Sequence, residues 1–331
     1  MAKSWLRALS KALFRIVIVV GLFLAATWYV IAQPVWTHQP AATLTADPVK
    51  LRQHVEKLAV DFHPRNFTEV ENLNACADYI AAQFKAASGQ VREQTFTVQG
   101  NDYRNVSAFF GPANGPLWIV GAHYDTCEDT PGADDNASGV AGLLELARLL
   151  GENPPSVPIE LVAYPLEEPP FFSSQSMGSA HHANALDLAT EPVLGVIVLE
   201  MIGYYSDAPG SQEHPSKLLE FVYPSTGNFL AVVGNWEQRG FVKQVKGHLQ
   251  GVTDLPIESI AAPPVVPGID FSDHRNYWPL GVNAVMVTDT AFYRNKNYHR
   301  ATDTPDTLDY ERMAMAVTAV NSALGSMASK K

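Results

Sequence analysis

Cysteine is nearly absent: two residues, Cys76 and Cys127, in a chain of 331. At most one internal bridge could form, so a disulfide framework and a thiolate-cluster metal site are both excluded, and two separate thiols are expected. Charge is also scarce, at 17% of residues against 47% hydrophobic ones. That excludes a disordered chain and suits a large buried core, arranged as one α/β domain or two smaller ones. Positive charge is scarcest in the body of the chain. Four of the 23 basic residues, Lys3, Arg7, Lys11 and Arg15, precede the first acid, Asp47, and from there onward 34 acids face the other 19 bases. No nucleic acid partner is expected of such a surface. No internal repeat is visible.

What is present begins with one long apolar run. Ile16 to Ala32, "IVIVVGLFLAATWYVIA", carries no charge, and with Leu13 and Phe14 it is long enough to cross a bilayer as an N-terminal transmembrane helix over residues 13–32. The basic flank would stay in the cytoplasm, with Trp28, Tyr29 and Trp36 at the far interface. The rest of the chain is then extracytoplasmic, in a periplasm or at the cell surface. A cleaved signal segment ending near Val30-Ile31-Ala32 is the competing reading and would make the protein secreted; a buried core helix ranks third. The organisation expected is anchor and basic flank over 1–35, a polar Pro-containing linker over 36–47 and a catalytic domain over 48–331.

In that domain, helical patterns at Pro48 to Val60 and Glu69 to Ala87 precede two strands, "VREQTFTVQ" and "RNVSAFFG". Five apolar runs follow, "LWIVGA", "PIELVAY", "VLGVIVLE", "NFLAVVG" and "NAVMVTD", separated by helical stretches such as "GVAGLLELARLLG", and a helix from Thr307 to Ser329 closes the chain. Continuous apolar strands alternating with helices predict an α/β fold with a mixed, mostly parallel central sheet and helices on both faces.

Open parallel sheets bind ligands at the carboxyl ends of their strands. His123 and Asp125 follow "LWIVGA", Glu167 and Glu168 follow "PIELVAY", Glu200 ends "VLGVIVLE", His299 follows "NAVMVTD", and Asp135 opens a helix. Singly, such residues are caps, core histidines or solvated loop acids. Gathered at one sheet edge with no basic partner, they would repel one another unless multivalent cations sat among them. Two zinc-like dications balance Asp135, Glu168, Glu200 and one hydroxide, with two neutral histidines completing the ligands.

The ordered motifs HYD, GADDNASG, EE, LEMIG, SDH and YHxxxDT, from roughly Leu51 to Leu324, resemble the zinc aminopeptidases of peptidase family M28. The resemblance implies two Zn2+ (or other divalent ions): His123 and Glu200 hold one, Glu168 and His299 the other, and Asp135 bridges both. It further implies a cis peptide between Asp135 and Asn136, Asp125 as a support for the His123 ring, and Ser272, Asp273 and His274 as supporting residues or pocket wall. Glu167 reads as general base toward a water that the metals activate, and Tyr298 as hydroxyl donor to the oxyanion. Two positions depart from the family pattern: Glu200 stands where Asp is common, and Arg300 where Thr is usual. Cys127, two residues past Asp125, is expected to be a bystander.

The Pro- and Gly-containing stretch from Ile202 to Asp273 is expected to loop over a pocket that Tyr204, Tyr205, Phe271, Tyr277, Phe292 and Tyr293 could line. The implied activity is metal-dependent removal of N-terminal residues from peptides or small proteins. A single-zinc glutaminyl cyclase-like acyltransferase is the enzymatic alternative, and a silent membrane receptor the non-enzymatic one.

Overall fold

A computed structural model describes residues 2–36 and 38–328. The first helix, α1, spans Ala2–Ala32. Its segment Leu13–Ala32 is long and apolar enough to cross a membrane, and Ile16, Val17, Leu22 and Phe23 are exposed along it. The residues that follow, expected as a linker, lie along the domain (position 37 falls outside the described residues). Gln39 N donates to Gln250 O at 2.9 Å, Gln39 Nε2 to Gly247 O at 3.0 Å, Ala46 N to Thr318 Oγ1 at 2.9 Å and Asp47 N to Glu145 Oε1 at 2.7 Å.

Asp47 then starts α2 (Pro48–Glu56): its carboxylate accepts from Val49 N at 2.8 Å, with Pro48 in the first turn where a missing N–H costs nothing. Helix α3 is Val70–Ala86. Strands β1 (Gln90–Val98) and β2 (Asn101–Phe110) form a hairpin. After them come β3 (Leu117–His123), α4 (Gly139–Glu152), β4 (Ile159–Tyr164), α5 (Gly178–Ala185) and β5 (Val193–Glu200). The remainder is β6 (Leu230–Asn235), α6 (Arg239–Leu249), β7 (Ile257–Ala262), β8 (Ala284–Thr288) and α7 (Tyr310–Ala328). The expected limit of the last helix, Ser329, lies outside the described residues.

The eight strands among the described residues form one sheet in the order β1-β2-β4-β3-β5-β8-β6-β7. Pairings β3/β4, β3/β5, β5/β8 and β6/β7 are parallel, while β1/β2, β2/β4 and β6/β8 are antiparallel. The mixed, mostly parallel prediction therefore holds. Alternation along each strand divides the core: Val120, Ile197, Leu199 and Val287 face α4 and α7, whereas Ile119, Val162, Val196 and Val198 face α5 and the 3-10 segment Asp273–Leu280. Burial on both faces is why these runs read as unbroken apolar stretches.

Two elements escaped the sequence reading. Strand β7, "IESIAA", lies inside the stretch expected as a loop and is partly exposed at the sheet edge, so it shows neither a full apolar run nor strict alternation. Helix α5, "GSAHHANA", offers small and polar residues with no apolar stripe.

Candidate metal centre

The central strands deliver their end residues to one place. β3 ends on His123, β5 on Glu200, and Glu167 and Glu168 follow the end of β4. One carboxylate ties the first of these loops to the last: Asp125 Oδ1 accepts from Glu167 N at 3.1 Å and Oδ2 from Glu168 N at 3.0 Å. The same residue meets the His123 ring, with Asp125 O 3.2 Å and Oδ1 3.4 Å from Nδ1.

Between β3 and α4 the chain turns through Ala133–Ser138, where Asp135 departs from helical geometry (φ −102°, ψ 88°). The Asp135–Asn136 peptide is cis. Asn136 locks this turn to β5: Nδ2 donates to Leu199 O at 2.9 Å, and Oδ1 accepts from Met201 N and Gly139 N, both at 3.0 Å. Residue 139 must be glycine for this approach, because a Cβ there would stand 2.4 Å from Asn136 Oδ1 and 2.6 Å from Leu199 O.

The side chains then converge in two halves. His123 Nε2 lies 3.4 Å from Asp135 Oδ1 and 3.3 Å from Glu200 Oε2. His299 Nε2 lies 3.2 Å from Asp135 Oδ2 and 3.2 Å from Glu168 Oε2. Asp135 thus turns one oxygen to each histidine, and each histidine has its own glutamate. Glu167 Oε2 is 3.9 Å from His123 Nε2. Tyr298 stacks on the His299 ring, centroids 3.8 Å apart, and Ser272 Oγ donates to Glu200 Oε2 at 2.7 Å.

The acids Asp135, Glu167, Glu168 and Glu200 are all buried. Burial pushes the Glu168 carboxyl up to about 8, aided by the Asp135 charge, and raises Glu167 and Glu200 as well. For Asp135 burial acts the same way but is outweighed by His123 and His299, which hold it below the usual carboxylate range. Burial disfavours charge on His123 too, yet the facing carboxylates Glu200 and Glu167 raise it overall. Asp273, beside Ser272, is pushed up to about 7 by burial, and His274 down to about 4, its Nε2 2.9 Å from Ile269 O.

A cavity of ≈330 Å³ opens from this cluster, and among the described residues no lysine or arginine lines it. Asp135 Oδ2 and Glu168 Oε1 are buried without a hydrogen-bond partner. Imidazole and carboxylate donors, two orphaned oxygens and ligand atoms within 4.8 Å in the group His123, Asp135 and Glu200 fit divalent cations of the zinc type.

Three supports were not assigned from the sequence. Asp303 accepts from Asp134 N at 3.0 Å and Asp135 N at 3.1 Å, and Asp134 accepts from Gly203 N at 3.0 Å and Asn295 Nδ2 at 2.7 Å. Arg65 is fully enclosed and donates to Tyr124 O, Pro131 O and Gly132 O at 3.0 to 3.1 Å, clasping the two loops that carry His123 and Asp135. Asp303 is the acid of the YHxxxDT match, a signal that could have been used. Arg65 carries none. Of the six aromatic residues considered for the pocket, Phe271, Phe292 and Tyr293 line the cavity. Tyr277 is instead enclosed against Tyr164 and His182, Tyr205 is buried beside Arg294, and Tyr204 does not line it either.

Residues 105–323 match the model of peptidase family M28. The uncharacterized protein YfbL of Escherichia coli (strain K12) is 48% identical over 296 residues, which is 87% of this chain and 91% of that protein. Among solved structures, a zinc aminopeptidase from Bacillus subtilis has a TM-score of 0.69 at 14% identity, covering 86% of this chain and 96% of its own. A glutaminyl cyclase from Bacteroides thetaiotaomicron, bound to N-acetylhistamine, has a TM-score of 0.65 at 18% identity, covering 87% and 99%. Both structural likenesses establish the fold. Since the family match takes in every histidine and acid of the cluster, the chain belongs to peptidase family M28.

Proposed function

We propose that the protein is a zinc-dependent aminopeptidase that removes N-terminal residues from peptides or small proteins. In this reading His123 and Glu200 would hold one ion, Glu168 and His299 would hold a second, and Asp135 would contribute to both. The supporting observation is the Asp135 carboxylate itself, whose two oxygens face two histidines that are each paired with a different glutamate. When bound, the ions supply Lewis acidity at the scissile carbonyl and the substrate amine, and lower the pKa of the attacking water.

The chain's own residues do the rest. Glu167, next to ligand Glu168 but on its own side of the cluster, accepts the water's proton and returns it to the leaving amine. Burial keeps the Tyr298 phenol protonated, so it can donate to the developing oxyanion. Asp125 holds the Glu167 and Glu168 amides and the His123 ring, which keeps base and ligands in register. The apolar part of the cavity, with Phe271, Met286 and Phe292, receives the first side chain of the substrate. Residues 48–331 form the catalytic domain. Residues 13–32 anchor it in a membrane with the basic flank inside and the active site outside.

The test is Glu167→Gln in the full chain. Zinc content should be unchanged while hydrolysis of aminoacyl-p-nitroanilides falls by about 10²–10⁴-fold; unchanged turnover would eliminate Glu167 as the base. The fold shared with a glutaminyl cyclase motivates a second assay. Two zinc ions per chain favour the peptidase, whereas one ion together with cyclisation of an N-terminal glutamine favours the acyltransferase.

A further inference from the structure

We propose that Cys127 is an additional ligand to the ion between Glu168 and His299, an inference that rests on the two-ion reading above. The sequence suggested a bystander. The structure instead brings the Cys127 sulfur into one group with Glu168 and His299, the three ligand atoms all within 4.8 Å of one another. Within this group Glu168 is buried, and its Oε1 has no hydrogen-bond partner, so a polar atom in the same place awaits a ligand. The other thiol, Cys76, is enclosed in the apolar core and takes no part.

The loop is built to hold that sulfur in place. Thr130 N and Oγ1 both donate to Cys127 O, at 3.2 and 2.7 Å, and Asn66 Nδ2 donates to Glu128 O at 3.0 Å. Two residues earlier, Asp125 grips the amides of Glu167 and Glu168. Cys127 and Glu168 therefore belong to one hydrogen-bonded unit rather than to two independent loops.

The chemistry makes the two halves unequal. Asp135, Glu168, His299 and Cys127 supply four protein donors of the kinds zinc accepts, which closes that position, while His123, Glu200 and Asp135 leave the other open for water and substrate. Coordination would release the thiol proton to solvent. A soft sulfur donor would also favour zinc or cobalt over magnesium and manganese at the closed position.

The test uses the full chain in detergent, stripped of metal and titrated with Co²⁺ alone. The expected result is two cobalt ions per chain, visible d–d bands, and a near-ultraviolet sulfur-to-cobalt charge-transfer band that saturates with one of the two ions. Cys127→Ser should keep both ions and the visible bands but lose the near-ultraviolet band. In parallel, zinc should protect Cys127 of the native chain from iodoacetamide. Two bound cobalt ions without the near-ultraviolet band overturn the role of Cys127 and leave the two-ion reading standing. A band that survives Cys127→Ser also overturns that role, and failure of the native chain to bind cobalt overturns both.

Discussion

Removing metal should lower the melting temperature by an amount that the shared carboxylate lets one apportion. Each ion present at 100 times its dissociation constant stabilises the folded chain by about 2.7 kcal/mol, hence about 5 kcal/mol for two. Unfolding entropy is about 2.1 cal/mol/K per residue, so a domain of about 280 residues changes by about 0.6 kcal/mol/K, and zinc should raise Tm by about 9 °C. His299→Ala strips one half of the cluster and should keep roughly half the shift. Asp135→Asn should abolish nearly all of it, because its two oxygens face His123 at 3.4 Å and His299 at 3.2 Å and a neutral amide cannot serve both ions as a carboxylate does. The assay is differential scanning fluorimetry of stripped and zinc-loaded chain, with zinc counted by mass spectrometry. Asp135→Asn retaining the full shift, or two bound zinc ions with no shift in the native chain, would refute the reasoning.

Two further outcomes follow from groups outside the candidate metal cluster. Arg65→Met should cost about 3 kcal/mol or more in a urea titration, because Tyr124 O and Pro131 O lose the Arg65 donor in a dry environment and Gly132 O keeps only Ala137 N; Arg65→Lys should not restore it, since an ammonium lacks the planar fork. Burial pushes His54 down to about 4 from 6.5. Its neutral form is thus the folded form, and the stability it contributes is complete above about pH 6.5 and lost as pH falls toward 4. His54→Gln should flatten the fall in urea midpoint between about pH 7 and pH 4, and an identical pH dependence in native and variant chains would count against this.

Much of the sheet was legible because its central strands are buried on both faces, which leaves continuous apolar runs such as "LWIVGA" and "VLGVIVLE" ending on ligand-type residues. The expected site residues His123, Asp135, Glu167, Glu168, Glu200 and His299 are drawn into one cluster for that reason. Residues whose role depends on distant backbone were not legible. Arg65 matters through carbonyls about 60 residues away in sequence, and no local pattern encodes that. Tyr277 looks like any pocket aromatic until its hydroxyl is seen against Tyr164 and His182. The chain before Asp47 read as a tether because it is polar, yet its amides and side chains are spent on α6 and α7.

The join between α1 and the domain bears on whether that helix is kept. Lys246 is buried and donates to Ala32 O at 3.0 Å; Tyr223 reaches Ile31 O at 3.0 Å, and the buried Gln33 amide meets Arg239 O at 2.8 Å and Ser259 Oγ at 3.1 Å. Scission after Ala32 would strip Lys246 of that carbonyl and set a new ammonium on Gln33 among the same enclosed groups. A cut at that bond would therefore unmake a seam of the folded domain instead of trimming a loose leader.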